Sequence, residues 1–267
     1  VGSAPEGTEV AIIANQTPFY GQSGGQEGDA GMIAVVGGAE ITVRDTKKKL
    51  GDLHVHFGTV TRGKVRTGDV GELRVDNSVR TKSRANHSAT HLLHAAMREE
   101  LGDHVTQKGS MVAADRLRFD ISHPKPISSD ELARIERAVN AQVRANAEVR
   151  TLIMSPDEAV EQGAMALFGE KYGDEVRVVS MGTVEKADEF YSTELCGGTH
   201  VGRTGDIGAF KIITEAAVAA GVRRIEALTG QGASDYAWDQ ENLVRSAAAA
   251  LKSAPGDLVD RVGALMD

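Results

Sequence analysis

The chain has 267 residues, of which 41% are hydrophobic and 25% charged, so it can bury a core and is not a disordered tail. Its apolar runs are only a few residues long, which excludes a membrane span of about 20 residues. The formal net charge of −8 argues against a protein that coats nucleic acid by bulk charge, and the single cysteine, Cys196, excludes an internal disulfide and favours a reducing compartment.

Residues 1–76 consist of short β-prone runs separated by glycine or charged residues. The runs lie at 9–13, 32–36, 41–43, 53–57 and 72–75. Short strands at regular spacing with glycine turns are typical of a small barrel. We therefore predict a glycine-rich β-barrel subdomain over residues 1–76.

A helix is predicted over 78–101, because this segment lacks Gly and Pro and is followed by Gly102 as a C-cap. A second helix is expected at 129–147. Strands are expected at 110–121, 149–154, 176–180, 207–213 and 224–228. This mixture predicts an α+β domain over 77–230. Residues 231–267 are predicted to form a helical linker toward a further C-terminal domain, so we expect the chain to be a piece of a longer protein.

Basic residues are concentrated in one part of this acidic chain. The segment 41–84 has eleven Lys or Arg residues and five Asp or Glu residues, a net charge of +6. A local basic field of this kind suits a polyanion held at one face. A solvated lysine turn with scattered surface charge explains the count equally well.

Two pairs of metal-binding residue types have the same spacing of four: His87 with His91, and Cys196 with His200. Residues four apart on a helix project from one face, so two imidazoles can share one ion. Imidazole nitrogen and thiolate sulfur are donors that zinc prefers. The pattern predicts a zinc site, and the competing interpretation is a helical histidine pair beside a buried cysteine.

Neighbouring residues limit the chemistry of this site. Ser88 stands where a zinc protease of the H-E-x-x-H type has its glutamate base, which argues against a peptidase. His94 is too far along the helix from His87 to share an ion with it, so we predict that His94 supports the site or the core. The remaining histidines have no partner at metal spacing and are predicted to lie on the surface or in loops: His54, His56, His104 and His123.

Four ordered motifs carry a family resemblance: TPFYGQSGGQEGD at 17–29, NHSATHLLH at 86–94, QKGS at 107–110 and ELCGGTH at 194–200. Together they closely resemble the editing region of alanyl-tRNA synthetases, over residues 1 to about 230. The editing domain of threonyl-tRNA synthetases is less similar, because it has proline where Thr199 stands and lacks the first motif.

The resemblance implies hydrolysis of the ester that joins serine or glycine to tRNA(Ala). It implies that His87, His91, Cys196 and His200 are zinc ligands and that Gln107 belongs to the substrate pocket. We assign catalytic roles to Cys196 and Gln107. Substrate contacts are expected from Gln107, Thr90 and Ser110.

The expected partners are the acceptor end of tRNA(Ala) carrying a wrong amino acid and the remaining domains of the parent synthetase, with no membrane and a cytoplasmic location. Arg80, Lys82 and Arg84 are predicted to contact tRNA phosphates. Two alternatives stay open: a freestanding editing deacylase of the same family, and a tRNA-binding module whose zinc is purely structural, since four protein ligands would close the tetrahedron.

Overall fold

The computed structural model describes residues 2–165, 173–184 and 189–266. Within these ranges the strands, numbered β1 to β14, are Ser3–Pro5, Glu9–Ile12, Gly31–Val35, Glu40–Lys49, Leu53–Arg62, Lys64–Arg66, Gly71–Val75, Gln107–Val112, Leu117–Ser122, Arg150–Met154, Val176–Met181, Ser192–Leu195, Phe210–Ala219 and Val222–Thr229. The helices, numbered α1 to α5, are Asn77–Leu101, Ser129–Ala145, Pro156–Glu161, Gly230–Ala250 and Leu258–Met266. The fold is therefore a mixed α+β fold with helices at its C-terminal end.

The first part of the chain is an antiparallel sheet of five strands in the order β2-β5-β4-β3-β7, with β1 and β6 paired beside it. Its buried side chains form a small core of Phe19, Ile33, Ile41, Val43 and Val60. Among the described strands, β2 and β7 are edges that do not pair with each other. The predicted β-barrel is thus corrected to an open sheet, because short glycine-separated strands are compatible with either closure or an open edge.

Helix α1 follows this sheet directly and confirms the predicted long helix. The Asp76 carboxylate accepts hydrogen bonds from the backbone N–H groups of Ser78 (2.9 Å) and Val79 (3.2 Å), which caps the first turn. Gly102 ends the helix with a φ of 110°, a conformation that favours glycine. Residues 85–97 of the helix are buried with one exception, so this part is a core element rather than a surface helix.

A second sheet, in the order β13-β14-β9-β8, packs against α1 and α2. Its strands differ from two predictions. The strand expected at 110–121 is a hairpin, β8 and β9, because residues 113–116 form a turn. The segment expected at 207–213 begins as the 3₁₀ helix Thr204–Ile207, and strand β13 starts only at Phe210.

The main core lies between α1, α2 and this second sheet. Leu92, Leu93 and Met97 of α1 are fully buried, and they pack with Phe119 and Ile225 of the sheet. A third sheet, β10-β11-β12, lies beside α1 and ends at Leu195, immediately before Cys196. The fold therefore fixes one end of the cysteine segment against the histidine-bearing helix.

The last two helices bury little. Helix α4 buries only Ala233 and Ala248, and α5 buries no residue in the part of the chain that the structure describes. None of the helices in the described ranges has both the length and the apolar character needed to cross a membrane. The division of the chain at residues 76 and 230 stays a prediction.

Candidate metal centre

The four predicted ligands lie together. His87 and His91 stand one turn apart on α1, and Cys196 and His200 lie in the segment after β12. The candidate ligand atoms all lie within 4.8 Å of one another. The Cys196 Sγ atom is 3.4 Å from His87 Nε2 and 3.3 Å from His200 Nε2. The structure thus forms a His87, His91, Cys196, His200 cluster that could hold a metal ion.

The imidazoles are oriented by hydrogen bonds at Nδ1, which leave Nε2 directed at the cluster. His91 Nδ1 donates to Glu194 Oε2 (2.6 Å), and His200 Nδ1 lies 3.2 Å from Ser88 Oγ. His91 Nε2 is buried and has no hydrogen-bond partner among the described residues. A buried ring nitrogen without a partner is costly, and a metal ion at this point would satisfy it. The donor set therefore fits a metal.

The third imidazole is held by Gln26, a residue of the glycine-rich loop that precedes β3. Gln26 Oε1 accepts hydrogen bonds from His87 Nδ1 (2.7 Å) and from the backbone N–H of Thr199 (2.9 Å). Gln26 Nε2 donates to Thr199 Oγ1 (2.8 Å). The side chain is fully buried. One amide thus connects His87 of the helix to the cysteine segment, a role that no spacing along the sequence predicts.

Backbone hydrogen bonds hold this loop against β8. The Glu27 N–H donates to the Val112 carbonyl (3.0 Å), and the Val112 N–H donates to the Gly25 carbonyl (2.8 Å). Gly25 has a φ of +86°, and a Cβ there would lie 2.5 Å from the Ser110 carbonyl oxygen. Glycine is therefore required where the loop approaches the strand, and this contact brings Gln26 to the cluster.

The turn between Cys196 and His200 also depends on glycine. A Cβ on Gly198 would collide with the His87 ring and would lie 2.9 Å from Gln26 Oε1. Arg177 Nη1 donates to the carbonyls of Cys196 (2.9 Å) and Gly198 (2.6 Å), which fixes the turn from the other side. Glycine is therefore required at position 198, because the missing side chain leaves room for the His87 ring.

Burial opposes charge throughout the cluster, but opposite charges overcome it at two groups. Burial alone would raise the pKa of the Cys196 thiol, yet His91 and His87 bring it well below its ordinary value. Burial would lower the pKa of His91, yet Glu194 and Cys196 raise it to about 10. Burial and the neighbouring His87 lower the pKa of His200 to about 3. The cluster therefore favours an anionic sulfur and a positive charge at His91, and a divalent metal can supply that charge in place of the proton.

A cavity of about 160 Å³ opens beside the cluster. The predicted substrate residues Thr90, Gln107 and Ser110 all line it, together with Cys196. Lys48 of β4 contributes to its wall as well, so the first sheet takes part in the cavity. The Thr90 hydroxyl donates to the Asn86 carbonyl (2.9 Å), which leaves only its lone pairs for a ligand.

The three residues predicted to contact tRNA differ in their surroundings. Arg80 makes an ion pair with Asp29, with 3.0 Å between Nε and Oδ1, and also donates to the Pro18 carbonyl (2.7 Å). Its charge is thus already neutralised by a buried partner. Lys82 is exposed, and Arg84 is half-buried. All three lie outside the cavity lining, and their contact with tRNA stays a prediction.

The other histidines follow the predictions in part. His94 is 2% exposed and donates from Nδ1 to Glu194 Oε1 (2.7 Å), as expected for a residue that supports the site or the core. The prediction that these histidines lie at the surface or in loops is wrong for His56, which is buried within a strand, whereas His123 is buried but lies in the loop after β9. His56 lies on β5, where its ring bonds to the Ile12 carbonyl (3.0 Å), a long-range partner that spacing could not reveal.

Two family models match the chain. The model of class II (A) tRNA synthetases matches residues 1–79, and the model of the second additional domain of threonyl and alanyl tRNA synthetases matches residues 176–226, which include Cys196 and His200. Both models describe tRNA synthetases, and each covers less than half of the chain.

Curated relatives identify the kind of synthetase. The chain is 58% identical to an alanine–tRNA ligase of Rhizorhabdus wittichii and 56% identical to one of Parvibaculum lavamentivorans, in both cases over 100% of its own length. It spans 30% of the length of these relatives. The chain is therefore homologous to a segment of alanine–tRNA ligases, which confirms the resemblance drawn from the four motifs.

The cluster predicts the metal content of the purified protein. We expect one zinc ion per chain after preparation without chelators, and we expect Cys196→Ala to lose most of it, because this substitution removes the only anionic ligand. Elemental analysis measures both. His104→Ala, which alters an exposed histidine outside the cluster, should keep the metal. A metal content near zero in the unaltered protein would contradict the assignment.

Gln26 yields a second prediction. Gln26→Leu should weaken metal binding by about 10- to 100-fold, because the His87 ring loses the acceptor that orients it. Competition with a chromophoric chelator measures the affinity. Gln22→Leu changes an exposed glutamine of the same loop and should leave the affinity unchanged. Equal affinities for both variants would show that Gln26 is not needed to position the ligand.

Proposed function

We propose that this chain is the editing part of an alanine–tRNA ligase and that it hydrolyses the ester joining serine or glycine to tRNA(Ala). The observation that carries the proposal is the convergence of His87, His91, Cys196 and His200 beside a cavity lined by Thr90, Gln107 and Ser110. A metal-binding cluster next to a small polar cavity is suited to a small aminoacyl group. The 58% identity to an alanine–tRNA ligase supports the choice of tRNA.

Zinc is the proposed metal, because three imidazoles and one thiolate match its donor preference. The four ligands would be the same His87, His91, Cys196 and His200. When bound, zinc would supply Lewis-acid polarisation of the ester carbonyl or of a water molecule. The lowered pKa of the Cys196 thiol keeps this ligand in the thiolate form that the metal needs.

The side chains of the cavity supply binding and orientation. Gln107 lies at the start of β8, and its amide offers a donor and an acceptor to the aminoacyl group. The Thr90 and Ser110 hydroxyls add polar contacts from α1 and β8. The walls formed by Lys48 and the glycine-rich loop limit the entry of water and place the ester next to the cluster.

A second candidate is a tRNA-binding module with a structural zinc. The observation in its favour is that four protein ligands complete a tetrahedron and leave no open position. A freestanding editing deacylase is less favoured, since the chain matches synthetases over its whole length. We further propose that the protein acts in the cytoplasm, together with the remaining synthetase domains.

Deacylation tests the proposed function. Serine-charged, glycine-charged and alanine-charged tRNA(Ala) are incubated with the purified chain, and ester loss is followed against buffer. We expect rapid loss of serine and glycine and slow loss of alanine. Ester loss at the buffer rate for all three, with tRNA binding intact, would favour the structural-zinc alternative.

The same assay tests Gln107. Replacement by methionine keeps the length of the side chain but removes the polar amide, so the ratio of serine to alanine deacylation should fall by about 5-fold or more. The zinc content should not change. If both rates fall together and the ratio is unchanged, Gln107 supports the fold and not the selectivity.

We also propose that the exposed Lys82 and the half-buried Arg84, in the first half of α1, contact phosphates of the acceptor stem. Affinity for tRNA should then weaken steeply with salt, and the double reversal Lys82→Glu with Arg84→Glu should raise Kd on the order of tenfold. Hydrolysis of a minimal aminoacyl ester should be unchanged. Filter binding at several salt concentrations measures the effect, with the exposed Lys125→Glu as the control. If the affinity for tRNA does not change with salt concentration, these two residues do not form the tRNA-binding surface.

A further inference from the structure

His94 is a buried polar residue that the proposed reaction does not use. It lies on α1, three residues after His91, and is 2% exposed. The metal-binding cluster does not include it. It nevertheless lines the cavity beside the cluster, with its ring 5.3 Å from that of Phe119. His94 therefore forms part of the wall of the space in which the aminoacyl group is proposed to bind.

The Glu194 carboxylate determines which nitrogen of His94 carries its proton. Glu194 accepts from His91 Nδ1 through one oxygen (2.6 Å) and from His94 Nδ1 through the other (2.7 Å). An ionised carboxylate can only accept, so each imidazole must donate at Nδ1. In the neutral ring Nε2 is then an acceptor. The geometry of the ring directs this lone pair away from Glu194.

The Nε2 atom of His94 is buried and has no hydrogen-bond partner among the described residues. His91 Nε2 is also buried without a partner, but it belongs to the candidate metal cluster, where an ion would bind it. No such explanation applies to His94. Leaving a buried acceptor without a partner costs free energy, so a group retained in this state points to a ligand that donates a hydrogen bond.

We infer that His94 is a specificity-determining residue that accepts a hydrogen bond from the side-chain hydroxyl of a bound seryl group. The inference rests on the proposed function. A seryl hydroxyl supplies the donor that Nε2 lacks. An alanyl methyl group occupies the same space and donates nothing, so Nε2 stays buried without a partner and alanine binds poorly.

The same acceptor accounts for a substrate smaller than alanine. A glycyl group leaves the side-chain space open, and a water molecule can occupy it and donate to Nε2. Alanine is the one residue of the three that expels this water without replacing its hydrogen bond. A single buried acceptor thus rejects alanine, which is intermediate in size between glycine and serine. A pocket that selects by size alone cannot do this.

Other polar groups of the cavity are less suited to this task. Thr90 already uses its hydroxyl proton on the Asn86 carbonyl. Gln107 and Ser110 are only half-buried, so water can satisfy them when alanine is bound. His94 is the most buried of these four residues, and so the penalty for leaving it unpaired is the largest.

The test compares His94→Leu with His94→Gln. Leucine removes the acceptor and fills the space, whereas glutamine can place an amide oxygen near the position of Nε2. We expect His94→Leu to lower the ratio of serine to alanine deacylation by about 5- to 150-fold and the ratio of glycine to alanine in the same direction, and His94→Gln to retain most of both ratios. Zinc analysis of both variants excludes an indirect effect through Glu194.

A binding measurement separates this inference from the proposed function. Adenosine carrying serine, glycine or alanine at its 3′ position through an amide, which cannot be hydrolysed as the ester is, serves as the probe in calorimetry. The unaltered protein should bind the seryl probe more tightly than the alanyl probe, and His94→Leu should remove the difference. Selective hydrolysis that is unchanged in a zinc-replete His94→Leu variant would overturn the inference and leave the proposed function standing. Selective binding of the seryl probe without any hydrolysis would support the inference and contradict the proposed function.

Discussion

The buried Glu194 carboxylate is the interaction on which the geometry of the site depends. It lies between His91 and His94, and each of its oxygens accepts from one ring. Burial would raise the pKa of Glu194, but His91 and His94 lower it, so the group stays ionised inside the protein. Removing one member of such a group leaves a buried charge without compensation, which is strongly destabilising. The carboxylate therefore determines the ring orientation of His91, a candidate metal ligand, and which nitrogen of His94 is left without a partner.

Gln26 positions a histidine of the cluster from the first part of the chain, as Glu194 does from strand β12. Without the glycine-rich loop, His87 would have no acceptor at Nδ1 and Thr199 would lose two hydrogen bonds. The sheet that begins the chain is thus part of the site and does not merely precede it. This explains why glycines accumulate in the loop, since Gly25 must approach a strand backbone before Gln26 can reach the cluster.

In the proposed function, the cavity serves two demands, reaction of the ester and recognition of the amino acid. The cluster of His87, His91, Cys196 and His200 is where the ester is proposed to react, and His94 with Phe119 forms the part of the cavity lining where the side chain of the amino acid is proposed to bind. Reaction and recognition can then be altered independently. Because His91 and His94 share Glu194, however, a change at this carboxylate should affect both the reaction and the recognition of the amino acid.

The sequence by itself determined the features that depend on local pattern. Helix α1 followed from a segment without Gly or Pro, and the four cluster residues followed from two spacings of four, because helical periodicity and ligand chemistry are local properties. Only the tertiary structure decided whether the first strands close into a barrel and which residues support the cluster. Gln26 and Glu194 contact histidines 61 and 103 residues away. Such contacts arise from the packing of distant segments, and no spacing along the chain encodes them.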